Sequence, residues 1–358
     1  MKDGWSVFYI TKNAWEEMLK DINNAQSSIF FEQYLFNDLD KGEIGKIFLE
    51  ALLKKAKEGV KVKLLIDSIG STDFFFSNEP ENLEKHGIDL RFHALSRKSV
   101  LSNIFPNLYR DHRKTVVIDE KIGYIGGVVI GQKMEDWRDT QVRIENDLVP
   151  LLKASFDAIW NSLEKTSVRP HKYMNRHLNE NAEGFLGNCP REKNKALRKE
   201  ILSKISQSKK RVWITTPYFV PSRKMVKVFK KAAKRNVDVR IVIGSRTDSR
   251  LGDFIAKSYF KGLLKNNIQI FRFTEMIHAK TVVVDDWVSV GSFNFDYLSE
   301  YFNHELNLVT QNKEVLESIV SQFTLDFKNS IRYTSEDYKR EPSYKKIAWH
   351  LLNLFKVF

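Results

Sequence analysis

The chain has 358 residues, is 42% hydrophobic, and carries a formal net charge of +13 from 58 Lys and Arg against 45 Asp and Glu. That length suits about two globular domains, and the basic excess favours an anionic partner: nucleic acid, an anionic membrane surface or a phosphate-bearing substrate. A single cysteine, Cys189, excludes an internal disulfide and argues against a thiolate zinc site, and no run of about 18 apolar residues is present to span a bilayer.

The first residues, "MKDGWSVFYITKNAWEEML", lack both an apolar signal-peptide core and a small-residue cleavage site, so no secretory signal is expected. From there the elements occur twice. "SIFFEQYLF" (Ser28 to Phe36) lies over "VWITTPYFV" (Val212 to Val220), Tyr34 over Tyr218, each reading as a buried strand. "LLKKAKEGVKVKLLID" (Leu52 to Asp67) then matches "FKKAAKRNVDVRIVIG" (Phe229 to Gly244). In each a cationic helix ends at a residue suited to a C-cap, Gly59 or Asn236, and a strand follows. "LEKHGIDLRF" (Leu83 to Phe92) matches "LKNNIQIFRF" (Leu264 to Phe273) as helix end, turn and strand.

Next come "HRKTVVID" (His112 to Asp119) and "HAKTVVVD" (His278 to Asp285), followed by "YIGG" (Tyr124 to Gly127) and "SVGS" (Ser289 to Ser292). A period of roughly 170 to 185 residues marks a duplicated domain, because solenoid units are far shorter. Strands alternating with helical patterns predict α/β units with a largely parallel sheet. The expected architecture is two similar α/β/α sandwich domains, residues 1–167 and 196–335, facing each other across a pseudo-two-fold. The polar, turn-rich stretch 168–195 is expected to be the linker, and 336–358 an amphipathic tail.

His112 and Lys114 stand two apart, as do His278 and Lys280, so on a strand each pair shares a face. The β-branched runs that follow fit strands entering the core, which places the polar pairs at strand mouths. A His beside a Lys there suits phosphoryl chemistry: the ammonium holds non-bridging oxygens while the imidazole attacks phosphorus or carries a proton. Two facing halves supply one imidazole for each task. A lone H-x-K-x(4)-D is weak evidence, but two copies at equivalent places in halves that have otherwise drifted are strong.

With those residues in view, the sequence resembles the phospholipase D superfamily, whose signature is H-x-K-x(4)-D followed by G-[SG]-x-N. Its finer pattern, in "RDHRKTVVID", "WRDTQVRIE", "TPYFVPS" and "GSFNFD", is similar to bacterial cardiolipin synthases. The resemblance covers both halves to about Arg332. It implies a phospholipase D fold with the active site at the domain interface. The residues themselves show no metal-ligand spacing and imply no cofactor. The resemblance implies catalytic roles for His112, Lys114, Asp119, His278, Lys280 and Asp285, each Asp orienting an imidazole. Gly126, Gly127, Ser292, Asn294 and Glu305 are implied around the phosphate. By the same likeness the reaction passes through a phosphohistidine, with His112 as nucleophile and His278 as general acid and base. Val129 stands where an Asn is expected, and five residues separate Asp285 from Gly291 against six between Asp119 and Gly126. The shorter turn can absorb the difference, and asymmetric half-sites are expected.

Other residues have weaker claims. Glu32 and Thr216, placed at equivalent strand positions, either line the cleft or are satisfied by backbone. Asp139 in "WRDT" falls one position off Glu305 across the pseudo-symmetry. The superfamily includes nucleases as well as lipid enzymes, so the partner rests on other features. The tail "YKKIAWHLLNLFKVF" (Tyr344 to Phe358) has the composition of an interfacial helix with basic anchors, or of a helix docked on its own core. "STDFFFSN" (Ser71 to Asn78), reading as a loop, and "SVLSNIFPNLY" (Ser99 to Tyr109) border an acyl-chain entrance or fill the domain seam. Aromatics also stack on bases in nucleases. The tail and the finer motif pattern favour lipid over nucleic acid. The expected enzyme is a phosphatidyltransferase moving a phosphatidyl group between phosphatidylglycerols. A phospholipase D-type hydrolase or a nuclease is the alternative. Its expected place is the cytoplasmic side of a bacterial membrane, held peripherally by the tail.

Overall fold

A computed structural model describes residues 4–95, 109–163, 176–190 and 195–355, the side chains of residues 350 and 352–355 excepted. The first half runs through β1 (Trp5–Ile10), α1 (Thr11–Asn24), β2 (Ser28–Gln33), α2 (Ile44–Lys57) and β3 (Lys61–Asp67). It continues with α3 (Thr72–Phe76), α4 (Glu79–Lys85), β4 (Asp89–His93), β5 (Arg110–Asp111), β6 (Thr115–Ile118), β7 (Ile122–Gly126), β8 (Arg138–Ile144) and α5 (Val149–Ser162). All but β5 join a sheet of order β1-β8-β7-β6-β2-β3-β4. In α2, Phe48, Leu49 and Leu52 recur at helical spacing and are buried. Gly59, at φ +89°, then turns the chain into β3 in a conformation a side chain would strain.

The second half comprises β9 (Arg176–Leu178), β10 (Gly184–Asn188), α6 (Ala196–Gln207), β11 (Arg211–Thr215), β12 (Phe219–Val220), α7 (Arg223–Lys234), β13 (Asp238–Arg246) and α8 (Arg250–Leu264). After these come β14 (Gln269–Met276), β15 (Thr281–Val284), β16 (Trp287–Gly291), β17 (Phe295–Asp296), α9 (Tyr297–Tyr301) and β18 (Asn303–Thr310). Last are α10 (Lys313–Lys328), β19 (Ser330–Tyr333), α11 (Ser335–Arg340) and α12 (Ser343–Phe355). The second sheet has the order β19-β14-β13-β11-β15-β16-β18-β10-β9. Strands β11, β13 and β14 repeat β2, β3 and β4 as a parallel set, while β15, β16 and β18 repeat β6, β7 and β8 as an antiparallel one.

The duplication is therefore present, but the sheets are mixed rather than largely parallel. Parallel neighbours need crossover helices, whereas Ile118 and Ile122 pair across a short hairpin turn, which can only be antiparallel. The segment read as a linker also holds structure. Its strands β9 and β10 extend the second sheet from β18, and Phe185 of β10 is fully buried. Short strands with polar ends carry little periodicity, so they resembled a connector. The "STDFFFSN" stretch contains α3, with Phe74 and Phe75 in the core and Phe76 75% exposed. Residues 99–108 of the second apolar stretch lie outside the described residues. Tyr109 stacks on Phe302 with ring centroids 6.4 Å apart.

One hydrophobic core is shared by the two halves. Trp5, Phe30, Leu152 and Trp160 pack in a cluster with Phe185, Phe271, Leu308 and Phe323. Across the same seam Tyr9 and Ser318 share a 2.6 Å hydrogen bond, and Arg138 of β8 makes a buried bidentate pair with Asp326 of α10. Burial of this kind fixes the relative position of the halves, which two surface-touching domains would leave free.

The tail helix α12 docks through Trp349, fully buried against Phe254 and Tyr338 at ring-centroid distances of 5.8 and 6.0 Å. Tyr344, Ile347 and Leu351, spaced to share the opposite face, are 70%, 62% and 54% exposed. The helix is thus docked on the core by one side, while its other side faces outward.

Replacing Phe185 by Ala is expected to destabilise the chain by about 3–5 kcal/mol, as for other large core truncations. Urea unfolding of this variant beside Glu180→Ala measures it; equal stabilities would mean that β10 is not part of the core.

Candidate active site

Both His-Lys pairs sit on extended segments just before β6 and β15, at the mouth end of each strand, and each is anchored by the opposite half. The backbone N–H of His112 donates to the carbonyl of His304 at 3.0 Å, beside a parallel pairing of β5 with β18. That of His278 donates to the carbonyl of Arg138 at 2.8 Å, beside a parallel bridge between Arg138 and Ile277. The side chains repeat the exchange. His112 Nδ1 lies 3.1 Å from both carboxylate oxygens of Glu305 on β18, and His278 Nδ1 lies 2.8 Å from Asp139 Oδ2 on β8. With Nδ1 engaged, Nε2 is the ring nitrogen left for chemistry.

The two lysines complete the centre. Lys114 Nζ donates to the carbonyl of His112 and Lys280 Nζ to that of His278, so each ammonium folds back over its own histidine. All four residues are buried, with relative exposures between 1% and 7%. Burial pushes Lys280 down to about 8, and burial together with the charge of Lys280 lowers Lys114. His112 is held well below the usual imidazole range by burial and then by the charges of Lys114 and Lys280. His278 is lowered less: burial and Lys280 depress it while Asp139 opposes them. Among the described residues neither lysine makes an ion pair, although Asp139 and Glu305 favour both charges from a distance, and two crowded cations in a dry site are suited to the oxygens of a phosphodiester.

The half-sites are not alike. Burial alone would raise Asp139, but the facing His278 brings it below the ordinary aspartate range. Burial raises Glu305 despite donors from Ser292 Oγ, Ser299 Oγ at 2.6 Å and Asn303 Nδ2 at 3.3 Å. His112 is therefore paired with a carboxyl that is hard to ionise, and His278 with a carboxylate. Asn294 is buried with its side-chain oxygen unpaired, while its counterpart Val129 is a buried apolar side chain whose carbonyl accepts from Trp15 Nε1 at 2.9 Å.

Three expectations need correction. Asp119 and Asp285 do not orient the imidazoles. Each lies at the far end of its strand, five residues beyond the lysine, or about 16 Å at a strand's rise. Asp119 accepts from the backbone N–H groups of Gln26, Ser27 and Ser28 at 2.7–2.9 Å, and Asp285 from those of Lys209, Lys210 and Arg211 at 2.7–3.0 Å. Both adopt positive φ, 54° and 53°, at the hairpin turn. They clip the β6 and β15 hairpins to the starts of β2 and β11. The two turns also absorb the one-residue difference, because Ile118 pairs with Ile122 whereas Val284 pairs with Trp287.

Glu32 and Thr216 are held by contacts inside the fold. Glu32 is fully buried, accepting from Thr115 Oγ1 at 2.6 Å and lying 3.2 Å from the Arg113 guanidinium. Thr216 is equally buried; its hydroxyl donates to the carbonyl of Tyr218 at 2.8 Å and accepts from Phe295 N–H at 3.2 Å. The two are also not equivalent. Glu32 pairs with Thr115 and Thr215 with Thr281, so Thr215 takes Glu32's place.

Asp139 and Glu305 are equivalent in register, without an offset. Gly126 pairs with Gln141 and Gly291 with Asn307, which leaves each acid two residues before the paired position. Gly127 is what admits Asp139, since a Cβ there would lie 2.2 Å from Asp139 Oδ1. Ser292 occupies that place in the second half and donates to Glu305. Sequence reasoning also passed over two rings: Tyr34 stands edge-on to His112 at 4.7 Å, and Trp137 lies 5.5 Å from His278.

Comparison with known proteins agrees with this geometry. Residues 18–160 and 201–329 match the family described as "Cardiolipin synthase, PLD-like domain". A cardiolipin synthase of Clostridium perfringens is 32% identical over 97% of this chain and 75% of its own length. Cardiolipin synthase 2 of Staphylococcus epidermidis is 33% identical over 91% of this chain and 68% of its own. A solved phosphatidylserine synthase from Haemophilus influenzae superposes with a TM-score of 0.74 at 15% identity, covering 99% of this chain and 93% of that one, and so shares the fold. The chain belongs to the phospholipase D-like family of cardiolipin synthases.

Asp119→Asn is expected to lower stability by roughly 1–3 kcal/mol, the range for a hydrogen-bonded charged group, while the folded protein keeps its histidine geometry. Asp139→Asn is expected to cost turnover at little cost in melting temperature. Thermal melts beside initial rates check the contrast; a reversal would return the imidazole-orienting role to Asp119.

Proposed function

We propose that this chain is a cardiolipin synthase-like phosphatidyltransferase that moves a phosphatidyl group from one phosphatidylglycerol to a hydroxyl of a second and releases glycerol. The observation that carries the reading is the pairing of two imidazoles, each held by a carboxyl group of the other half, with two buried ammonium groups in one interdomain centre. The kinship with cardiolipin synthases supports the substrate class.

In the proposed chemistry the phosphodiester sits between Lys114 and Lys280, whose charges its own charge offsets. His112, kept neutral by its surroundings, attacks phosphorus through Nε2. The N–P bond forms as the bond from phosphorus to the glycerol oxygen breaks, and His278 delivers a proton to that oxygen. The Asp139 carboxylate opposes the burial and the Lys280 charge that lower His278, and so favours the imidazolium that this step requires. The neutral His278 then takes the proton of the incoming hydroxyl, that oxygen attacks phosphorus, and the N–P bond breaks. An alcohol in the second step gives transfer and water gives hydrolysis. Ser292, Ser299 and Asn303 act through Glu305 to fix the nucleophile.

The bilayer is met through α12. Its residues Lys346 and Ile347 lie beside Lys261 and Leu264, late in α8, while Trp349 packs on the earlier Phe254. The helix therefore runs back along α8 towards that helix's N-terminal end, where Tyr218 donates to Asp248 at 2.6 Å. After burial, Asp139 and Glu305, the carboxylate of Asp248 is a further charge acting on Lys280, which puts that end of α8 on the side of the catalytic centre. The outward stripe of Tyr344, Ile347 and Leu351 would lead a membrane surface to it.

Two outcomes are expected. Purified protein with phosphatidylglycerol vesicles yields cardiolipin plus glycerol by mass spectrometry, and His112→Ala and His278→Ala each cut the rate by at least about 10^3-fold, the scale for loss of a nucleophile or a general acid. Phosphatidic acid as the main product would make the enzyme a hydrolase instead. Second, kcat/KM falls as pH rises, with a half-point near 8 or below, because a lysine with a lowered pKa is charged below that value and neutral above it. An alkaline limb near 10 would show that these lysines are not desolvated.

A further inference from the structure

A second groove lies away from the catalytic histidines, where the tail crosses the C-terminal end of α8. It encloses about 540 Å³ and is walled by Lys261 and Lys265 from α8 and its cap, and by Lys339 and Lys346 from α11 and α12. Leu264 and Ile347 form its apolar edge, over a floor made by Tyr338. Among the described residues none that lines it is acidic. Two acids of the same region are engaged elsewhere: Asp337 accepts from Thr334, and Glu341 pairs with Lys257 at 3.2 Å. Lys346 is held in place, its ammonium donating to the carbonyl of Lys339 at 3.0 Å and lying 5.3 Å from the Tyr338 ring. Two other basic clefts can be compared with it. The one on α2 mixes Lys54 and Lys57 with Glu50 and Glu58, so its charge is largely cancelled. The one on α7 is also basic, with Arg223, Lys227, Lys230, Lys231 and Lys234, but among the described residues the tail helix does not line it.

Four ammonium groups around a concave, partly apolar space, opening beside the exposed face of Ile347, have a definite complement. They suit an anion attached to a hydrocarbon body, with the anion between the lysines and the apolar part along Ile347, Tyr344 and Leu351. We propose that this groove is a non-catalytic binding site for an anionic phospholipid headgroup at the bilayer surface, and that it anchors the tail there. The proposal rests on the reading that the enzyme works on an anionic membrane, and it adds the place and the residues. Charge complementarity selects the occupant: a zwitterionic lipid carries an ammonium that four lysines would repel, and a free phosphate leaves the apolar edge unused.

The test measures binding without turnover, using the full chain with His112→Ala. That protein is sedimented with phosphatidylcholine vesicles, with or without phosphatidylglycerol, at physiological salt. Binding is expected only with the anionic lipid. Reversing Lys261, Lys265 and Lys339 to Glu is expected to weaken partitioning by at least about 100-fold, since loss of each lysine near an anionic surface alone costs about fivefold. The same reversal at Lys41, Lys54 and Lys57 on the first half should weaken it about threefold or less, since screening limits distant charges to about 8–10 Å. A triple Lys→Gln variant of the groove, with an unchanged melting temperature, guards against misfolding and should give a smaller loss of the same kind. Equal losses from both triple reversals would overturn the proposal in favour of net charge alone, as would binding that ignores the anionic lipid. If the catalytic reading failed, these partition constants would still stand; if the groove failed, turnover of phosphatidylglycerol would still test the histidines.

Discussion

Two carboxyl groups cross the seam between the halves, Glu305 to His112 and Asp139 to His278, and each imidazole is also held at its backbone by the strand that carries its partner. Neither half-site exists in one half alone. An imidazole ring without its Nδ1 partner is free to rotate and to change tautomer, so its second nitrogen would not be aimed. The shared hydrophobic core and the buried Arg138–Asp326 pair therefore bear on chemistry as well as stability, because a small slip of one half would disturb both histidines. The same constraint explains why Gly127 is small and Ser292 is polar: one clears space for a carboxylate and the other donates to one.

Pseudo-symmetry would make the two histidines equivalent, yet a double displacement needs one neutral nucleophile and one proton carrier. The differences lie in the surroundings. His112 has the full set of cations around it and a partner that resists ionisation, and so stays neutral; His278 has a partner carboxylate. Asn294 against Val129 extends the inequality to the polar rim. Duplication supplied two copies of the device, and drift around them gave the copies different electrostatic surroundings.

Much of this was legible in the chain. The repeated His and Lys mark the centre because two copies at matched places rarely arise otherwise, and alternating strand and helix patterns gave the duplicated α/β plan. The motif's aspartates misled for a physical reason: a four-residue strand separates Lys114 from Asp119, so residues adjacent in the signature stand at opposite ends of a sheet. Asp139 was passed over because counting from the motif put it one place off, and only the strand register restores the match. Strands β9 and β10 were hidden by polar ends and short length, since their pairing with β18 is a long-range fact that local pattern does not carry. The tail showed its amphipathic composition but not which residue turns inward, because Trp349 is chosen by Phe254 and Tyr338, some of them nearly a hundred residues away.

Nitrogen NMR of ¹⁵N-histidine-labelled protein tests the central claim most directly, because it reads the tautomer of each ring. The interdomain account predicts that His112 and His278 carry the proton on Nδ1, that Asp139→Asn disturbs His278 alone, and that Asp285→Asn leaves both rings unchanged. A loss of the Nδ1–H signature of His278 in Asp285→Asn, with Asp139→Asn silent, would contradict it and put the orienting carboxylate back within each half.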